Sequence, residues 1–230
     1  LAGADRPVIY AGQGIHYAKA WKDLKDLAEQ WNIPVTTSIE GKSAFPEDHP
    51  LSLGSGGRAN SRPVKRYLEE SDLILGLGVS FALTAFGVPM PPGKKIIHAT
   101  LDPMDLNKDV PADIGLIGDA KLTLAALNSE LSNADNSKAA ARANEPEKIN
   151  ELKEEWLQEW LPKLTNNEAP INPYRVVAEL NQLVDKEKVV ITHDAGSPRD
   201  QITPFWESTA PLSYIGLSLI HISEPTRRSV

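Results

Sequence analysis

The sequence predicts an α/β fold: a Rossmann-like, doubly wound parallel sheet that is followed by the truncated start of a second α/β domain. Short apolar runs alternate with helical patterns from residue 6 to residue 127. Several of these runs end in a glycine turn, and repeated strand–turn–helix units with apolar strands are typical of parallel sheets. The length of 230 residues leaves room for one large domain, or for one domain and part of another.

The strands and helices of the first domain follow from the spacing of apolar residues. Short apolar runs predict strands at residues 7–11, 33–37, 72–78, 95–101 and 114–117. Helical spacing predicts helices at residues 18–31, 62–70 and 120–127. It places Ala20, Leu24, Leu27, Ala28 and Trp31 on one buried face. Residues 41–57 are rich in Gly, Pro, Ser and His, and they predict a loop with no more than one short helix.

The rest of the chain predicts a linker and a second, incomplete α/β unit. Residues 129–145 are polar and rich in Ala, Ser and Asn, as linkers are. Helices are predicted at 146–164 and 174–184, and strands at 189–193 and 212–216. An apolar stripe on the first of these helices, which predicts a core or interface contact, contains Leu152, Trp156, Trp160 and Leu161. We therefore divide the chain into residues 1–128, 129–145, 146–216 and 217–230.

Composition and charge exclude several classes of partner and site. The net charge is −7 and no block of Lys or Arg is present, so nucleic acid and anionic membranes are not expected partners. No window approaches the roughly 18 apolar residues of a transmembrane helix. The chain has no Cys. This excludes disulfides, thiolate metal sites and a Cys nucleophile, and it fits a cytoplasmic location.

Both ends of the sequence have features of a fragment. Residues 1–3 (LAG) show neither an initiator Met nor a signal-peptide pattern, so we expect a longer parent protein. Residues 217–227 read LSLIHISEPTR, which resembles the translation of a sequencing-library adapter. We therefore treat residues 217–230 as a tail that carries no information on fold or site.

The strongest candidate site is the turn after the predicted strand at residues 189–193. The sequence VVITHDAGSPRDQ at 189–201 joins a β-branched run to a turn at Gly196, Ser197 and Pro198. Open α/β sheets bind their ligands at such carboxyl ends, and a glycine lets backbone N–H groups approach an anion closely. An ordinary strand-to-helix turn is the equal alternative. The histidines do not have the spacing of metal ligands. Only His193 is a candidate site residue, because it lies just before this turn.

Seven segments, in order along the chain, together carry a family resemblance. They are residues 6–14 (RPVIYAGQG), 28–54, 71–81 (SDLILGLGVSF), 96–108, 117–127, 172–184 (NPYRVVAELNQLV) and 189–196. Each motif is weak alone, but their combined order and spacing are specific. The chain resembles the thiamine-diphosphate-dependent enzymes of the acetolactate synthase and 2-oxo-acid decarboxylase family.

The resemblance implies a parent enzyme that uses thiamine diphosphate and Mg²⁺ on a small 2-oxo acid, as a lyase or transferase, and that forms a homodimer or homotetramer. It implies that this chain holds the family's central domain and the first piece of its diphosphate-binding domain. Two parts of the family pattern are missing from this sequence. One is the domain that carries the ylid-forming Glu, and the other is the Gly-Asp-Gly…Asn metal motif. We therefore expect an inactive fragment without catalytic residues or metal ligands. Gly196, Ser197 and Pro198 match the turn that contacts the diphosphate in this family.

The alternative is a non-catalytic Rossmann-like domain that binds FAD or ADP, or that only spaces two catalytic domains. Gly12, Gly14, Gly78 and Asp102 follow predicted strands and would line a nucleotide site. Asp102 could accept hydrogen bonds from ribose hydroxyls, or it could simply end its strand. The family's FAD users carry an Arg-Phe-Asp-Asp type segment where residues 79–82 read VSFA, so the usual Arg is absent.

Overall fold

The main layer of the molecule is a parallel β-sheet. A computed structural model describes residues 1–57, 61–85, 87–194 and 196–216. Within them the sheet has six strands: β1 (Pro7–Ala11), β2 (Val35–Thr37), β3 (Ser52–Ser55), β4 (Leu73–Leu77), β5 (Lys95–Thr100) and β6 (Ile114–Ile117). Their spatial order is β3-β2-β1-β4-β5-β6, and all pairs are parallel. This is the order of a doubly wound Rossmann-like sheet, so the predicted fold class is confirmed.

Helices cover the sheet and bury one continuous apolar core. They are α1 (Gly14–Tyr17), α2 (Trp21–Trp31), α3 (Arg62–Glu70), α4 (Ala120–Leu131), α5 (Ser137–Ala141) and α6 (Glu145–Leu164). The predicted face of α2 is confirmed, because each of its residues is at most 1% exposed: Ala20, Leu24, Leu27, Ala28 and Trp31. The helix begins at Trp21 rather than at residue 18, since Lys19 has a φ of +50° and interrupts the helical backbone.

Strand β3 lies in the stretch that the sequence predicted to be a loop, so that prediction was wrong at residues 52–55. The strand pairs with β2 through Val35↔Ser52 and Thr37↔Ser55. Its sequence, Ser-Leu-Gly-Ser, has neither the alternation nor the β-branched residues that indicate a strand. Pairing with β2 and burial against the core therefore determine its conformation.

Residues 129–145, predicted to be a linker, pack against α2 and share the apolar core of the first sheet. Helix α4 extends to Leu131, and α5 lies within this range. Ala139 is 4% exposed and belongs to the same core as the sheet. The Arg142 guanidinium, also buried, donates to the carbonyls of Trp31 and Ala4. The division of the chain at residue 128 stays a prediction.

A smaller unit follows, built from α7 (Pro173–Leu183), β7 (Ile191–His193), α8 (Ser197–Ile202) and β8 (Tyr214–Gly216). Strands β7 and β8 form a parallel pair, with Ile191 opposite Tyr214. Helix α6 joins this unit to the first sheet. The rings of Trp156 and Trp160 lie 5.0 and 4.9 Å from that of Phe205. The predicted contact is thus found at these two residues and at the buried Leu152, but not at Leu161, which is 45% exposed.

Two further sequence predictions concern the tail and membrane-spanning helices. The adapter-like tail at 217–230 lies outside the described residues. In the described part of the chain, no helix combines the length and the apolar character needed to cross a bilayer.

Candidate functional site

A crevice opens at the carboxyl ends of β1, β2, β4 and β5. The strand order reverses between β1 and β4, which is where doubly wound sheets bind ligands. The crevice has a volume of about 330 Å³ and is lined by all four residues predicted for a nucleotide site: Gly12, Gly14, Gly78 and Asp102. This volume lies at the lower end of the range for small-molecule sites.

The three glycines of the crevice pack against each other rather than leave room for a ligand. A Cβ on Gly12 would lie 2.3 Å from the Gly78 carbonyl oxygen, and one on Gly14 would lie 2.6 Å from the Gly78 Cα. Their amides are also engaged. The N–H groups of Gly12, Gly14 and Gly78 donate to the carbonyls of Leu77, Gly78 and Ala99 at 2.8–2.9 Å. The glycines thus serve the close approach of two loops, and their N–H groups are not available to a phosphate.

The charge of the crevice is negative. Glu40, Asp102 and Asp105 line it, and none of its described lining residues is Lys or Arg. Asp102 also caps the turn after β5, since its Oδ1 accepts from the Met104 N–H at 2.9 Å. These carboxylates repel phosphate oxygens. The described crevice therefore does not fit the diphosphate of ADP or FAD; Arg58 lies outside the described residues.

Phe81 forms part of the crevice wall in a strained conformation that the sequence did not indicate. Its φ is +51°, which is uncommon for a bulky residue. The ring is buried, 5.7 Å from that of Tyr10 and 4.8 Å from that of His98. A Cβ on Gly76 would lie 2.3 Å from this ring. The strand below Phe81 therefore needs a glycine, and strain of this kind is often found at functional sites.

The turn of Gly196, Ser197 and Pro198 is a separate, exposed feature. It opens α8, and none of its three residues lines the crevice. Gly196 has a φ of +86°, and the space where its Cβ would stand is empty to 4 Å. The turn thus has room for an anionic group. The described residues hold no cluster of three or more His, Cys, Asp or Glu that could bind a metal ion.

The histidine beside this turn has a structural contact. His193 is 5% exposed, and its Nδ1 donates to the Asp194 carbonyl at 2.8 Å. Its ring lies 5.1 Å from that of Tyr214 on the neighbouring strand. His193 therefore links the strand pair to the turn. His98 is fully buried, with its Nε2 2.7 Å from the Val79 carbonyl.

Comparison with known proteins identifies the family. The family model described as thiamine pyrophosphate enzyme, central domain, matches residues 1–127. The probable acetolactate synthase large subunits of Methanococcus aeolicus and Methanocaldococcus jannaschii are 31% and 32% identical over 94% of this chain. The acetolactate synthase large subunit of Buchnera aphidicola is 30% identical, again over 94%. The chain spans only 36–37% of the length of these relatives. It belongs to the thiamine pyrophosphate enzyme family, whose central-domain model matches residues 1–127.

Proposed function

We propose that the intact protein is a thiamine-diphosphate-dependent enzyme that acts on a small 2-oxo acid, as a carboligase or decarboxylase of the acetolactate synthase type. The observation that carries this proposal is the extent of the similarity. The similarity to acetolactate synthase large subunits covers 94% of this chain. It therefore extends beyond the central domain into the unit that bears the turn at Gly196. An isolated central domain would not account for that extent.

The residues of this chain would contribute binding rather than chemistry. Thiamine diphosphate supplies the electron sink for loss of CO₂ from a 2-oxo acid. Gly196 leaves the turn open, and the exposed Ser197 beside it has a hydroxyl that can donate to a phosphate oxygen. We propose that this turn holds the diphosphate, and that the Mg²⁺ ligands belong to the parent protein outside this chain.

We expect no turnover from the 230-residue chain alone. With pyruvate, thiamine diphosphate and Mg²⁺, CO₂ release should not exceed that of the free cofactor, because the chain lacks a Gly-Asp-Gly…Asn motif.

The positive test is a chimera in which residues 1–216 replace the matching segment of the Methanococcus aeolicus relative. That chimera should convert pyruvate, and Gly196→Val should weaken its binding of thiamine diphosphate at least tenfold, because Val disfavours a positive φ. Gly93→Val, at an open position with a φ of +75°, is the matched control. A folded chimera without turnover would refute the proposed function.

The alternative role for this chain is that of a Rossmann-like spacer without a nucleotide. The engaged glycine amides and the three carboxylates of the crevice support a spacer over an ADP or FAD site. Titration calorimetry with ADP and with FAD, each at about 100 μM ligand, should therefore show no binding. Saturable binding that is lost in Asp102→Ala would overturn this interpretation and would place the nucleotide in the crevice.

We also propose that the parent forms a homodimer or homotetramer. Exposed apolar side chains follow one face of α7, at Val176, Leu180 and Leu183, where they are 38–76% exposed. A patch of this kind favours coverage by further protein. Light scattering on the intact parent would measure its oligomeric state.

A further inference from the structure

Lys42 is a fully buried lysine that connects the loop after β2 to the carboxyl-terminal unit. Its side chain is 0% exposed, and its Nζ donates to both carboxylate oxygens of Glu47 at 2.5 and 2.6 Å and to the Trp206 carbonyl at 2.8 Å. All three ammonium protons thus have acceptors. Burial lowers the pKa of Lys42, and the charge of Glu47 opposes that shift.

Glu47 gathers hydrogen bonds from three further segments. Its carboxylate accepts from the Ser55 hydroxyl on β3 at 2.6 Å and from the Ser208 N–H at 2.7 Å. Its own N–H donates to the Ser208 carbonyl at 2.9 Å, and its carbonyl accepts from Lys153 on α6 at 3.3 Å. Lys42 and Glu47 therefore form a junction between the first sheet, α6 and residues 206–208.

This junction is a polar link between the two units. Lys42 and Glu47 make three hydrogen bonds to Trp206 and Ser208, and these join residues 1–141 to residues 191–216. The partners are up to 164 positions apart in sequence. A buried charge that loses its partner is costly, so separating the two units at this contact is expected to be unfavourable.

From the junction, contacts continue to the turn at Gly196. The Lys42 ammonium lies 5.2 Å from the centre of the Tyr214 ring on β8. Tyr214 contacts the ring of His193 on β7, and His193 precedes the turn by three positions. Ser38 and Glu40, which line the crevice, precede Lys42 by four and two positions in sequence. Contacts therefore join Lys42, on the loop that also lines the crevice, to the strand that precedes the turn.

We propose that Lys42 is a positioning residue: its ion pair with Glu47 fixes the β7–β8 unit, and with it the turn of Gly196, Ser197 and Pro198, at one distance from the first sheet. The relevance of that distance to diphosphate binding rests on the proposed function. The positioning itself does not, because it can be measured without thiamine diphosphate.

The test is amide hydrogen exchange in the full chain carrying Lys42→Met, read by NMR. The amides of Ser208 and Ile191, which donate to Glu47 and to the Ser213 carbonyl, should exchange at least tenfold faster, about 1.4 kcal/mol at RT ln 10. The amide of Leu75 in β4 should be unchanged. Local opening of this kind is what hydrogen exchange resolves. Lys186→Met, which breaks the partly exposed pair with Glu207 in the same unit, is the matched control and should change no rate by more than twofold.

A second measurement reports position directly. Because the chain has no Cys, spin labels can be placed at Lys65→Cys on α3 and Thr192→Cys on β7, both exposed. The distribution of distances between the two spin labels should be at least twofold wider with Lys42→Met than in the same doubly labelled chain with Lys42 unchanged. Unchanged amide exchange rates together with an unchanged distance distribution would overturn the proposal. Equal acceleration of exchange at the Leu75 amide would also overturn it, because that result indicates global destabilisation. Should Lys42→Met fail to fold, Glu47→Gln must give the same selective pattern, or the proposal is wrong.

Discussion

Replacing Gly12 with Ala is expected to lower the free energy of unfolding by about 3 kcal/mol or more, the upper range for overpacking a filled site. The added Cβ would lie 2.3 Å from the Gly78 carbonyl oxygen and 2.7 Å from the Val79 Cα. Both are backbone atoms, and the Gly78 N–H donates a hydrogen bond to the Ala99 carbonyl on β5. The clash therefore cannot be relieved by a side-chain rotation and must displace the end of β4. Urea denaturation of the full chain measures the loss.

Gly93→Ala separates this effect from backbone strain. Gly93 has a φ of +75° but nothing within 4 Å of the Cβ position, so its replacement should cost only about 1 kcal/mol, the penalty for a left-handed residue. If Gly12→Ala costs no more than Gly93→Ala, then the loops around Gly12 and Gly78 are not closely packed. In that case Gly12 would again be available to a ligand.

The glycines also show where sequence reasoning about this site reached its limit. Glycines after parallel strands led us to predict a nucleotide site, and Gly12, Gly14 and Gly78 do line one crevice. Their physical role could not be read from the sequence. A glycine that admits a phosphate and a glycine that admits another loop look the same along the chain. They differ only in which atoms face the missing Cβ, and that depends on contacts between distant residues.

The same distinction explains which elements were predicted. The apolar faces of β1, β4 and α2 are set by local periodicity, and the structure has them close to the predicted bounds. Strand β3 and the junction of Lys42 with Trp206 depend on partners that are distant in sequence, and nothing local indicates them. Lys42 is a charged residue in a loop of mixed composition, where a solvated position is the ordinary expectation. The positive φ of Phe81 likewise has no signature in its neighbouring residues.

Arg142→Ala should destabilise the chain by about 3 kcal/mol, because it leaves two buried carbonyls without a donor. The guanidinium donates twice to the Trp31 carbonyl, at 2.8 and 3.2 Å, and once to the Ala4 carbonyl at 2.9 Å. Trp31 ends α2, so a cation there also complements the negative end of the helix. Arg66→Ala is the control. It removes an exposed Arg that pairs with Glu70 on its own helix, which should cost no more than about 0.5 kcal/mol.

The size of the Arg142 effect decides where the first domain ends. If residues 129–145 are a linker that merely follows the sheet domain, Arg142→Ala should behave like Arg66→Ala. If they complete the domain, as the burial of Ala139 and of Ile149 in the same core suggests, the loss should appear in a single cooperative transition. Strands β1 and β4 should then lose their hydrogen-exchange protection together with α2. An effect confined to residues beyond 141 would instead restore the boundary near residue 128, because it would show that Arg142 stabilises only its own segment.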